Sequence, residues 1–174
     1  MTSHTLGIIE ATTPEQIAAV RELFRDYARS LGQEEAECWL ADELANLPGT
    51  YAPPRGSLML AYVDGRPAGA LGLQPVPESP RIPGTGADTA GEPKRLYVAP
   101  EFRRYGVGRA LMLRAEAEAI ARGYDALMLT TGAQMFPLAQ SLYDVLGYTE
   151  TVPYRDDMPY PEIRWMRKEL AGPA

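Results

Sequence analysis

Two glycines and three arginines fall within the seven residues Arg103-Arg104-Tyr105-Gly106-Val107-Gly108-Arg109, and Ala110 follows them. A short apolar strand signal, Leu96-Tyr97-Val98, precedes this stretch and a helical pattern leaves it, so the chain must turn from strand to helix here. Glycines at a helix start let the backbone turn closely. The unpaired N–H groups there, with the positive end of the helix dipole, suit a diphosphate. Arg103, Arg104 and Arg109 add a local positive field to a chain of formal charge -6. From these residues alone two readings stay open: an anion-binding turn, or a glycine-containing connection with solvated arginines.

Several chemistries lack the residues they need. Cys38 is the single cysteine, which removes an intramolecular disulfide and a cysteine-based zinc cluster. His4 is the single histidine and lies near the N-terminus, so histidine metal sites and Ser–His or Cys–His catalysis lose their base. No metal site is expected. No apolar run approaches the ~20 residues that span a bilayer, and Met1-Thr2-Ser3-His4-Thr5 does not read as a signal peptide. The expectation is a cytoplasmic protein without membrane or nucleic-acid partners, the latter because the net charge is negative. With 45% hydrophobic and 23% charged residues over 174 positions, the whole chain 1–174 reads as one globular domain.

Elements follow in a consistent order. Leu6 to Ala11 reads as a strand, and Thr12-Thr13-Pro14-Glu15-Gln16 as a helix start with cap, proline and acidic first turn. Ile17, Val20, Leu23, Phe24, Tyr27 and Leu31 then recur at helical spacing as far as Gly32. A second helix carries Trp39, Leu40, Leu44 and Leu47 and stops at Pro48-Gly49, with Glu34, Glu35 and Glu37 as its solvated start. Ser57 to Val63 and Ala68 to Leu73 flank Asp64-Gly65, a hairpin signature. Pro75 to Pro93 is rich in Pro, Gly, Ser, Thr and Asp and reads as a long loop, either a disordered insertion or a lid. Lys94 to Val98 is the next strand. Gly106 to Arg122-Gly123 is a helix whose apolar face is set by Ala110, Leu113, Ala117 and Ile120. Ala126 to Thr130 forms a strand, Pro137 to Leu146 a helix closed by Gly147, and Tyr148 to Val152 and Ile163 to Arg167 the last two strands. Strand, two helices, strand pair, then strand–helix–strand–helix–two strands indicates an α/β or α+β fold on a mixed central sheet flanked by helices.

The glycine turn is not a dinucleotide fingerprint, because Leu111 takes the place of a third glycine and the strand ends early, near Val98. Phosphate-loop, zinc-peptidase and nucleophile-elbow motifs are absent as well. What the segment does resemble is the GNAT superfamily of acyl-CoA-dependent N-acetyltransferases. Leu96-Tyr97-Val98-Ala99-Pro100-Glu101-Phe102 followed by Arg103-x-x-Gly106-x-Gly108 is similar to that family's strand, connection and Q/R-x-x-G-x-G/A loop. Ala139-x-x-Leu142-Tyr143-x-x-Leu146-Gly147-Tyr148 is similar to its terminal helix and following strand.

The resemblance implies acetyl-CoA as co-substrate, with no metal, and transfer of its acetyl group to a primary amine of a small molecule or protein by direct attack. It implies that the stretch from Arg103 through Arg104, Tyr105, Gly106, Val107, Gly108 and Arg109 to Ala110 holds the diphosphate. The pantetheine arm would lie beside Leu96, Tyr97 and Val98, with the Val98 N–H on the acetyl carbonyl. Glu92 falls where relatives carry a glutamate base, and Tyr143 matches a tyrosine near the cofactor sulfur, a phenol able to donate to a departing thiolate. Phe136 stands where many relatives have asparagine. Tyr51, Arg55, Tyr154 and Arg155 lie in segments that read as loops and are candidates for the acceptor site, whereas Tyr27, Trp39 and Trp165 read as packing. The alternative is a catalytically silent acyl-CoA-binding sensor or docking module. The identity of the acceptor stays open, as does pairing of two copies through terminal strands.

Overall fold

A computed structural model describes residues 4–32, 36–78, 81–82, 84–86, 88–132, 137–155 and 162–171. The elements are β1 (Leu6–Glu10), α1 (Pro14–Ser30), α2 (Ala36–Ala45), β2 (Ser57–Val63), β3 (Arg66–Pro75), β4 (Ala90–Val98), α3 (Val107–Ala121), β5 (Ala126–Gly132), α4 (Pro137–Val145), β6 (Thr149–Glu150) and β7 (Ile163–Glu169). The strands make a mixed seven-stranded sheet in the order β1-β2-β3-β4-β5-β7-β6, and helices flank it. By contacts the chain divides into two compact units. One holds β1, β2, α1, α2, β3 up to Gln74, β4 from Pro93 and α3 up to Ala115; the other runs from Pro75 through the start of β4 to Glu92 and from Glu116 in α3 onward.

In the first unit α1 starts as its sequence predicts. The Thr13 side chain accepts from the Gln16 N–H at 3.3 Å, and Gln16 Oε1 accepts from the Thr13 N–H at 3.1 Å, a reciprocal capping box. The helix then buries Val20, Leu23, Phe24 and Ala28 in a core shared with Leu40, Leu44 and Leu47 and with Leu58, Leu60 and Ala70 of the sheet. Burial of a ring such as that of Phe24 is worth about 3 kcal/mol or more against alanine. Trp39's side chain, like Glu34 and Glu35, lies outside the described residues. Asp64 and Gly65 both have positive φ and close the β2–β3 hairpin, with Val63 opposite Arg66. Two expectations need correction. Along α3 the buried residues are Val107, Leu111, Met112, Ala115 and Ala119, whereas Leu113 and Ala117 are exposed. Alanine recurs on every side of this helix, so periodicity could not orient it, and the bulk of Leu111 and Met112 does. Tyr51 is in the core, not on a loop surface. It is 1% exposed in a 3-10 turn, its ring lies where a side chain at Gly72 would project, and its hydroxyl donates to Glu43 Oε1 at 2.7 Å.

In the second unit β4 begins at Ala90, four residues earlier than Lys94, and pairs in parallel with β5 through Ala90↔Ala126 and Gly91↔Leu127. The part of 75–93 that is described is therefore neither a disordered insertion nor wholly a loop. Val76 is buried and its N–H donates to the Ala90 carbonyl at 2.9 Å, and Thr85 is buried and accepts from Arg167 Nη1 at 2.9 Å. Proline misled the sequence reading because it removes a ladder donor, yet a strand tolerates it where that donor is not needed. β5 pairs with β7 and β7 with β6, both antiparallel. Gly147, at φ +86°, ends α4: its N–H donates to the Asp144 carbonyl at 3.1 Å and the Tyr148 N–H to the Tyr143 carbonyl at 3.0 Å. This closure sets the Tyr143 and Tyr148 rings edge to face, 5.8 Å apart.

Candidate active site

The glycine-arginine turn has the geometry of an anion cradle. A 3-10 turn over Pro100–Phe102 leaves Arg103 extended, Arg104 at φ +76° and Gly106 at φ +75°, after which α3 begins. Left-handed residues at both positions turn successive N–H groups toward one side, as in an anion-binding nest. A non-glycine residue at φ +76° is strained, and such strain persists where the surroundings demand it. The backbone amides expected to hold the diphosphate are those of Arg104 to Ala110, with Arg103 leading the motif, and some N–H groups of this stretch are already engaged. The Ala110 N–H bonds the Gly106 carbonyl at 3.0 Å, the Arg103 N–H the Pro100 carbonyl at 3.3 Å, and the Tyr105 N–H points to the Phe102 carbonyl at 3.5 Å. Helix geometry leaves the N–H groups of Gly106, Val107, Gly108 and Arg109 without intrahelical acceptors. Arg103, Arg104 and Arg109 are all exposed, and Arg103 Nε donates to the Val98 carbonyl at 3.2 Å. These residues fit a diphosphate.

The turn has a neighbour that the sequence reading discounted. His4 Nδ1 lies 2.5 Å from Asp64 Oδ2, and its ring meets the Tyr105 ring edge to face at 4.5 Å. The hydrogen bond from His4 lowers the Asp64 carboxyl below its ordinary value. No local pattern links positions 4, 64 and 105, so only the fold reveals this contact.

Downstream of Pro93, β4 carries the three residues expected beside the pantetheine arm. Leu96 and Val98 are half-buried, and Tyr97 is buried with its hydroxyl raised above the ordinary phenol value by burial and then by the charge of Asp26. One residue earlier, Arg95 sits at φ +60°, a left-handed residue inside a strand. Its guanidinium forks onto Glu43, Nε to Oε1 at 3.2 Å and Nη2 to Oε2 at 3.0 Å. Burial alone would lower Arg95, but the hydrogen bonds and charge of Glu43 outweigh it and hold the guanidinium above its ordinary value. Glu43 is in turn pushed up by burial and pulled further down by Arg95 and Tyr51. Arg55, of the proposed acceptor set, is half-buried on the loop before β2.

In the second unit Glu92 is not at a strand entrance but inside β4, and it is 1% exposed. Two of the acceptor-site candidates enclose it. The Tyr154 hydroxyl donates to Glu92 Oε1 at 2.9 Å, and Arg155 Nη1 donates to Oε2 at 3.0 Å and Oε1 at 3.3 Å. Trp165, half-buried on β7, holds Tyr154 by an edge-to-face contact at 4.9 Å. Tyr143 is buried on α4 against Tyr148, whose hydroxyl has no hydrogen-bond partner among the described residues. Burial raises the Tyr148 hydroxyl well above the ordinary phenol range, and the Glu116 and Tyr143 charges add to it. Phe136 lies outside the described residues. Among the described residues no cluster of His, Cys, Asp or Glu suits a metal ion, and no helix is long and apolar enough to cross a membrane.

A mixed seven-stranded sheet flanked by helices, with a glycine-containing turn between β4 and α3, is the fold of GNAT acetyltransferases. The chain belongs to the acetyltransferase (GNAT) family, whose model matches residues 17–148. It is 28% identical over 172 residues to an uncharacterized N-acetyltransferase of Schizosaccharomyces pombe, covering 98% of this chain and 99% of that protein. It is also 29% identical over 132 residues to human N-acetylaspartate synthetase, covering 75% of this chain and 40% of the human protein. A GNAT-family acetyltransferase structure from Staphylococcus aureus superposes with a TM-score of 0.73 at 20% identity, covering 96% of this chain and 100% of that one. A Salmonella typhimurium structure that holds acetyl-CoA as its cofactor gives 0.65 at 18% identity, covering 97% and 96%. The family uses acetyl-CoA, and membership makes this chain an acyltransferase rather than a silent binding module.

Proposed function

We propose that the chain moves the acetyl group of acetyl-CoA onto a primary amine of a small molecule or protein by direct attack of the neutral amine on the thioester. The observation that carries this reading is the pair of left-handed residues, Arg104 and Gly106, opening the N-terminus of α3. On this reading Gly106 to Arg109 donate backbone N–H groups to the diphosphate, and Arg103, Arg104 and Arg109 supply countercharge. Leu96, Tyr97 and Val98 flank the pantetheine arm, and the Val98 N–H stabilises the oxyanion that develops on the acetyl carbonyl. As the N–C bond forms and the C–S bond breaks, one proton leaves the nitrogen and one reaches sulfur. Glu92 takes the first, directly or through water, and the Tyr143 hydroxyl supplies or hydrogen-bonds the second.

Release of free thiol from acetyl-CoA over a panel of amines tests the reaction, and silence with every amine overturns it. Glu92→Gln is expected to lower turnover mainly at lower pH, where less of the amine is already neutral. Tyr143→Phe is expected to lower kcat more than cofactor affinity. Unchanged rates remove the respective assignment.

A further inference from the structure

Among the described residues two glutamates each meet an arginine and a tyrosine hydroxyl, and the geometries of the two groups differ. In Glu43–Arg95–Tyr51 the guanidinium forks, two nitrogens meeting two oxygens. That is the arrangement of a fixed clamp. In Glu92–Arg155–Tyr154 one nitrogen, Nη1, meets both oxygens end-on. Tyr154 is braced by Trp165, and Glu92 is built into β4, but Arg155 stands in irregular chain after β6 and is the more exposed member, at 12% against 1% for the glutamate. Arg155 therefore covers the group assigned above as the base.

For Glu92 to receive a proton directly from an amine, that amine must replace part of Arg155's contact. A simple ammonium entering there puts a positive charge beside the guanidinium, and an uncharged amine separates a buried ion pair with nothing in return. A zwitterion does neither. Its ammonium pairs with Glu92 and its carboxylate with Arg155, so each charge exchanges one partner for another, because a guanidinium carries donors on more than one edge. Arg155 Nη1 is within 3.3 Å of both Glu92 oxygens, so the acceptor's two charged groups must be close, one or two carbons apart.

We infer that the acceptor is a free α- or β-amino acid, with its carboxylate bound by Arg155 in exchange for the Arg155–Glu92 ion pair. This rests on Glu92 being the base. Once the zwitterion is seated, the ammonium loses one proton to solvent to give the neutral amine. The N–C bond then forms as the C–S bond breaks, Glu92 takes the second nitrogen proton, and the sulfur gains one at the Tyr143 hydroxyl to become the thiol.

The test compares thiol release from acetyl-CoA with a panel of α- and β-amino acids, each beside its decarboxylated amine and its carboxamide. Wild type is expected to favour at least one amino acid over both partners by about tenfold or more in kcat/KM, the scale of one charge-assisted hydrogen bond. Arg155→Gln is expected to raise KM for that amino acid about tenfold and to erase the preference, while Arg155→Lys retains part of it. Thermal midpoints of both variants show whether they fold. A wild type that prefers the decarboxylated amines overturns the inference, and so does a preference that survives both substitutions. If Arg155 serves only as a counterion, the midpoint falls and the preference stays. Failure of the underlying reading looks different: Glu92→Gln then turns over every acceptor at the wild-type rate, or wild type releases no thiol with any of them.

Discussion

Gly106→Ala isolates the backbone conformation on which the proposed diphosphate site depends. A Cβ built at Gly106 meets nothing within 4 Å, so the methyl group causes no clash, and whatever the substitution does must come through φ, which is +75°. Holding an L-residue in the left-handed region costs about 1–2 kcal/mol. For a chain of this size that corresponds to a fall of about 2–8 °C in Tm. If the turn keeps its shape, the loss appears in stability alone and acetyl-CoA binds as before. If the backbone instead relaxes out of the left-handed region, the N–H groups of residues 106 and 107 swing away. Losing one such charge-assisted bond, worth about 1.5–3 kcal/mol, weakens binding by roughly 10- to 100-fold. Gly7→Ala is the control, since a Cβ there also meets nothing within 4 Å and its φ lies outside the left-handed region. It is expected to be neutral or slightly stabilising. Urea unfolding and acetyl-CoA calorimetry on both variants read the two quantities. A Gly106→Ala protein with wild-type stability and wild-type affinity refutes the left-handed turn and the cradle built on it.

Three other substitutions probe the scaffold. Gly72→Ala drives a methyl group into the Tyr51 ring and is expected to destabilise by about 1–3 kcal/mol in urea unfolding. Glu43 has a folded carboxyl below its ordinary 4.5, so its contribution is complete above that value and disappears as pH falls through the lower folded one. Glu43→Gln should flatten that part of the acid limb in unfolding measured from pH 6 to 2. Tyr148 shows the opposite sign: its hydroxyl is raised by burial, so stability holds below the ordinary value of 10.0 and falls above it as the unfolded phenol ionises. Tyr148→Phe removes a buried hydroxyl without a partner among the described residues, and should leave stability at pH 7 equal or higher and flatten the alkaline limb.

The parts of the fold that were legible are those whose cause is local. The Thr13 cap lies three residues from its partner Gln16, the Asp64-Gly65 pair supplies both positive φ angles of its hairpin, and Gly147 stands next to the carbonyls it helps to close. Where a local signal was weak, tertiary packing decided. Alanines around α3 gave no moment, so Leu111 and Met112, not Leu113, face the core. Pro93 hid the first half of β4, and Tyr51 read as a loop residue because the absent side chain that admits its ring, that of Gly72, is twenty-one positions away.

The candidate site divides along the same line. Its glycine turn is legible because strand, glycines and helix are contiguous, whereas the bonds that engage the Arg103, Tyr105 and Ala110 N–H groups depend on the folded backbone. The carboxylate centre was not readable as a centre. Glu92 and Tyr143 follow from resemblance to a family pattern, while Tyr154 and Arg155 read as loop residues of an acceptor site. The fold brings them onto one carboxylate across sequence separations of 62 and 63 residues, which no periodicity encodes. That convergence changes the chemistry expected of Glu92. A solvated loop acid meets an incoming amine without losing a partner, whereas direct contact with a glutamate paired to a guanidinium and a phenol means displacing part of that pairing. On the proposed reading, the acceptor is selected at Arg155 rather than at Glu92.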